Sequence, residues 1–118
     1  MFELIWNPNT GRFKPVALHG FSFNDGGGSA SGLVMDAAGN LYGTTVAGGT
    51  APNAERVVFK LTPGPKNVWP ETVLYSFNGD ADGGAPYGTL ISDTAGNLYG
   101  TGIRGGDFHN GVVFEVIP

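Results

Sequence analysis

The sequence predicts an all-β chain made of β-propeller blades, and three observations carry that expectation. Glycine and proline are dense, 21 and 8 of 118 residues, so few segments run ten residues without one of them. Inside a helix these residues cost about 1 and about 3 kcal/mol. The chain is still apolar enough to fold, being 41% hydrophobic and only 14% charged, the reverse of a disordered composition. Finally, a long unit repeats, and each repeat reads as short strands punctuated by turns.

The anchor of the repeat is Asp36-Ala37-Ala38-Gly39-Asn40-Leu41-Tyr42-Gly43-Thr44, which recurs 57 positions later as Asp93-Thr94-Ala95-Gly96-Asn97-Leu98-Tyr99-Gly100-Thr101. Gly32 to Met35 reads as strand A. Asp36 then suits the first position of a type I turn, and Gly39 the left-handed position that follows it. Gly96 has the same part in the second copy. Asn40 to Thr45 is the return strand B. Strand C is Arg56 to Leu61, with Val57, Phe59 and Leu61 on one face, and strand D is Thr72 to Phe77, with Val73, Tyr75 and Phe77 on one face. Val16 to Phe21 matches strand D, and Phe2-Glu3-Leu4 and Phe114-Glu115-Val116 both match Phe59-Lys60-Leu61. The chain therefore reads C, D, A, B, C, D, A, B, C: two four-stranded antiparallel blades plus one extra strand. As one two-blade unit over 1–118, repeat 1 covers about 2–58, repeat 2 about 59–113, and 114–118 a third partial copy.

Composition excludes several functions. Ten acidic against six basic residues give no footprint for neutralising phosphates, so nucleic acid is not expected as a partner. No apolar run approaches the roughly 20 residues of a membrane span, and the first residues have no signal-peptide pattern. The absence of cysteine removes disulfides, thiolate zinc sites and cysteine nucleophiles. His19 and His109 adjoin no nucleophile elbow, and no enzymatic activity is expected.

The Asp-x-x-Gly-Asn-Leu-Tyr-Gly-Thr core, the Val73-Leu74-Tyr75-Ser76-Phe77 strand with its Gly/Asp-rich sequel, and the Val58-Phe59-Lys60-Leu61-Thr62-Pro63 strand resemble the Gloeobacter/Verrucomicrobia tandem repeats of bacterial, often exported proteins. The resemblance spans essentially the whole chain. It implies a propeller-like array at a secreted or cell-surface location, and no catalytic residues. Arg56 departs from the pattern by standing where the second copy has Gly111, so the first B–C loop must be built differently.

Candidate sites are few. Asn78, Asp80 and Asp82, with Gly83 following, have the spacing of a calcium loop, although its closing acid falls on Thr89. Calcium is the one cofactor this admits, against a plain polar turn between strands D and A. Asp107-Phe108-His109-Asn110 replaces Thr50-Ala51-Pro52-Asn53 and reads as solvated loop. His19 occupies the position of Tyr75, as an aromatic-sized filler. Tyr42, Tyr99 and Trp69, the last matching Phe13, invite stacking against sugars, with inter-blade packing as the alternative.

Two blades do not close a ring. The expected function is a non-enzymatic structural or binding module that assembles into a propeller by strand exchange between chains, three chains giving six blades and four giving eight. A glycan-binding lectin of the small oligomeric propeller type is the alternative, with carbohydrate as its partner.

Overall fold

The structure, a computed structural model, describes residues 1–29, 31–50 and 56–118. Its strands are β1 Phe2–Asn7, β2 Arg12–Ala17, β3 Gly27–Ser29, β4 Val34–Met35, β5 Leu41–Ala47, β6 Arg56–Leu61, β7 Glu71–Phe77, β8 Gly84–Pro86, β9 Ile91–Ser92, β10 Leu98–Arg104 and β11 Val112–Val116, with one 3-10 turn at Pro65–Asn67. They form three antiparallel sheets: the hairpin β1-β2; the order β3-β5-β6-β7 with β4 also on β5; and the order β11-β10-β8 with β9 also on β10. None is closed. No described helix is long and apolar enough to cross a membrane.

The all-β expectation stands, but the strands differ from the nine expected in three places. Strand A is split. Ser29 pairs with Thr45 and Val34 with Tyr42, so five steps along one strand answer three along the other, and the surplus bulges out. The second copy does the same, with Pro86 opposite Gly102 and Ile91 opposite Tyr99. A β-bulge of this kind separates two pairing segments on one edge.

The first D strand is Arg12–Ala17, not Val16–Phe21. Phe2 faces Ala17 and the ladder runs out to Asn7 opposite Arg12, closed where Gly11 N–H donates to Asn7 O at 2.9 Å. The ladder runs outward because Leu18 meets Met1, whose carbonyl accepts its N–H. The Met1 amino group in turn reaches the His19 carbonyl at 3.4 Å.

Strand β7 also fails to keep one face. A register shift lies between Val58, opposite Tyr75, and Phe59, opposite Val73, leaving Leu74 as an extra residue. Such an insertion flips the alternation of a period-2 strand. Val73 accordingly packs in one core cluster, and Leu74 and Phe77 pack in the other.

Those two clusters lie on opposite faces of β6. Val57, Phe59 and Leu61 join Leu18 and Leu41, with Phe21, Trp69 and Val73 packed around them. Val58 joins Tyr42, Phe77, Leu90 and Leu98, with Phe114 and Val116 alongside. The middle sheet is thus covered on one face by the N-terminal segment and on the other by the C-terminal sheet. The contact is itself repeated: the Phe21–Phe59 and Phe77–Phe114 ring pairs both have centroids 5.0 Å apart and planes at 64°.

Three sheets in a row make an elongated particle, 56 × 31 × 23 Å. Its radius of gyration, 15.4 Å, exceeds the roughly 13.5 Å of a compact domain this long.

Candidate functional site

The repeated motif builds a hydrogen-bonded box around each A–B turn. Gly39 N–H donates to Asp36 O, and Gly39 has φ +84°, the left-handed geometry assigned to it. Asp36 Oδ1 accepts the N–H groups of Ala38 and Asn40 at 2.9 Å, and Oδ2 accepts Asn40 Nδ2 at 2.8 Å and the Tyr42 hydroxyl at 2.9 Å. Asp93 repeats the set with Ala95, Asn97 and Tyr99. Donors on a carboxylate favour its charged form. The Asn40 side chain foremost, with the backbone and Tyr42 after it, holds Asp36 down to about 2. Glu115, then Asp93, pushes the Tyr99 hydroxyl up to about 12.

The next letters of the motif serve packing. Gly43 pairs with Phe59 and Gly100 with Phe114, and a Cβ on Gly43 would lie 2.7 Å from Phe59 Cζ. The same ring atom of Phe114 blocks a Cβ on Gly100. Leu-Tyr-Gly-Thr is therefore a core residue, a turn clamp and a seat for a ring.

The residues singled out for ligands do not come together. Tyr42 is buried in one cluster, Trp69 packs against the other, and Tyr99 is hydrogen-bonded to Asp93 and Glu115. Phe13, the repeat partner of Trp69, is 60% exposed and lies against Trp6. In the calcium-like loop, Asp82 Oδ2 accepts the Tyr75 hydroxyl and Asn78 N–H, and Asp80 O accepts Gly83 N–H. The residues Asn78 to Gly83 thus form a turn tied to β7. His109 N–H closes another turn on Gly106 O, while residues 51–53 of its counterpart lie outside the described residues. Arg56 reaches the C-terminal sheet, its guanidinium 4.4 Å from the centre of the Tyr87 ring.

Position 19 is where the sequence reading missed an association. His19 Nε2 lies 3.4 Å from Asp25 Oδ2 and 3.2 Å from Glu71 Oε2. Burial, followed by contact with the Asp25 carboxylate, pushes Glu71 up to about 8. Burial also raises Asp25, but hydrogen bonds from Ser22 and Glu71 outweigh it and leave the carboxyl below its ordinary value. His19 and Glu71 stand 52 positions apart, and no local spacing signals their meeting.

A groove also opens beside β11. There Leu74, Tyr75, Phe77, Phe114 and Val116 line an open groove of about 360 Å³, with the carboxylates of Asp82 and Glu115 also on its wall. One repeat earlier the corresponding residues Leu18, His19, Phe21, Phe59 and Leu61 are covered by the β7 segment, with Trp69 and Val73 packed on that cluster. The outer edge of β6 pairs with β7, whereas among the described residues β11 pairs only with β10.

The Gloeobacter/Verrucomicrobia repeat family matches residues 4–118. The chain belongs to that family. No curated protein and no solved structure matches it.

Proposed function

We propose that the protein is a non-enzymatic repeat module that assembles with copies of itself by strand exchange, the sheets acting as blades of a shared propeller. The groove beside β11 supports this reading: it is the space that a D strand fills one repeat earlier, and its edge N–H and C=O groups are a template for another strand. Strand β2 is the matching donor. Aligned on the repeat, Phe13 takes the position of Trp69 and Ala17 that of Val73, and Phe13 already stands exposed. Pro15 fits an outermost strand, where a missing N–H disturbs no ladder.

Three chains would supply six blades and four would supply eight. Light scattering across micromolar concentrations tests this: the expected mass is three or four times the 12.2 kDa chain. A single stable 12.2 kDa species would overturn it.

A further inference from the structure

We infer that His19, Asp25 and Glu71 form a binding site for one borderline divalent cation of the zinc type, which staples the segment after β2 to strand β7. The three offer one imidazole nitrogen and two carboxylate oxygens, all within 4.8 Å of one another. Ligand atoms about 2.0–2.2 Å from a tetrahedral zinc are themselves separated by about 3.3–3.6 Å. The two His19 separations, 3.2 and 3.4 Å, match edges of that tetrahedron.

Hydrogen bonding accounts for only part of the cluster: Ser22 and Glu71 serve Asp25, and other atoms are left over. His19 Nε2 is buried within ion-pair distance of both carboxylates, yet among the described residues it has no hydrogen-bond partner, and neither has buried Glu71 Oε1. The Glu71 side chain is only 5% exposed. Buried polar groups are ordinarily satisfied, and a cation among the three supplies what the ring nitrogen and the carboxylates lack.

The second repeat gives the contrast. Tyr75 and Asp82 occupy the positions of His19 and Asp25, and there a hydroxyl donates to the carboxylate at 2.9 Å. Asp82 Oδ1 is also unpartnered, so an orphan oxygen alone marks nothing. What distinguishes the first repeat is an imidazole nitrogen with a second carboxylate opposite it. Asp25 is also pre-oriented: its Oδ1 accepts the N–H and hydroxyl of Ser22 at 2.7 and 3.0 Å, leaving Oδ2 for His19. Outer hydrogen bonds of this kind fix a metal ligand's direction. The imidazole selects zinc-like ions over magnesium or calcium, which take oxygen ligands in larger numbers.

Thermal melts of the whole chain with and without Zn²⁺ test the inference. At a hundredfold excess over the dissociation constant the midpoint is expected to rise by about 10 °C, and calcium chloride is expected to leave it unchanged. His19→Tyr, which copies the second repeat, and Glu71→Gln should each lose the zinc shift, whereas His109→Ala should keep it. Should a variant fold poorly, the histidine ring NMR signals of the unmodified chain decide instead. One equivalent of Zn²⁺ should move His19 and leave His109 in place. No zinc shift in the unmodified chain, an equal shift in His19→Tyr, or a response at His109 alone would overturn the site.

Discussion

Asp36 and Asp93 each gather four donors within six residues of chain, and this makes Asp the least replaceable letter of the motif. Asn would keep the size but bring two donors where only acceptors are wanted. The pH dependence follows from the sign of the shift. With a folded pKa of about 2, below the roughly 3.9 of an unstructured Asp, the box contributes fully above about pH 4 and is lost as pH falls through 2. A carboxyl-carbon NMR titration should place the Asp36 midpoint near 2, and Tyr42→Phe should move it upward. A midpoint in the ordinary Asp range would show that the box does not form in solution. Gly96 separates backbone strain from crowding, since a Cβ there has φ +88° and nothing within 4 Å. Gly96→Val should cost about 1–2 kcal/mol through left-handed strain alone, and Gly96→Asn less, in urea melts. Equal, negligible effects would contradict the turn assignment.

At the scale of elements, the split strand A places Leu90 under the second cluster at 1% exposure, while its counterpart Leu33 stands 38% exposed. The same position in two repeats should therefore respond differently. Leu90→Ala should lower stability by about 2–5 kcal/mol, and Leu33→Ala by about 1 kcal/mol. Equal losses in denaturant melts would mean that the two copies pack alike. Much of this level was legible in the residues: the turns at Gly39 and Gly96, and the face of β6 carrying Val57, Phe59 and Leu61, follow from local chemistry and period 2. What escaped followed from pairing. Gly27–Ser29 and Gly84–Pro86 look like linker, because glycine and proline have low strand propensity, yet β5 and β10 recruit them through backbone groups. The bulge at Leu74 has no local signal, as a strand of alternating residues gives no sign of where a partner inserts a step. The His19–Glu71 meeting is a product of stacking one repeat on the next.

For the whole molecule, the repeat does not coincide with the sheet, because the boundary between 58 and 59 cuts through β6. The two larger sheets therefore each draw strands from two successive copies, and this phase offset is what the proposed exchange between chains would use. The partner that β2 has now, Phe2-Glu3-Leu4, and the partner that β11 offers, Phe114-Glu115-Val116, differ only in the third residue. In the proposed exchange, Pro15, Val16 and Ala17 would keep partners of the same type, three of the six β1–β2 pairs, and Phe13 would gain burial in the groove beside β11. Deletion variants locate the donor while keeping Leu18 and Phe21 on the middle sheet, at the loss of Met1 from that cluster in both variants alike. Removing residues 1–6 frees β2 and should preserve the assembly. Removing residues 1–17 takes the donor away and should leave single chains whose exposed β11 edge aggregates with time. Phe13→Asp leaves every strand in place and should weaken assembly at least tenfold in concentration midpoint, because it replaces an apolar anchor with a carboxylate in a groove that already holds Asp82 and Glu115. If the 1–17 deletion sediments with the mass of the full assembly, β2 is not the donor, and the chains associate through sheet faces instead.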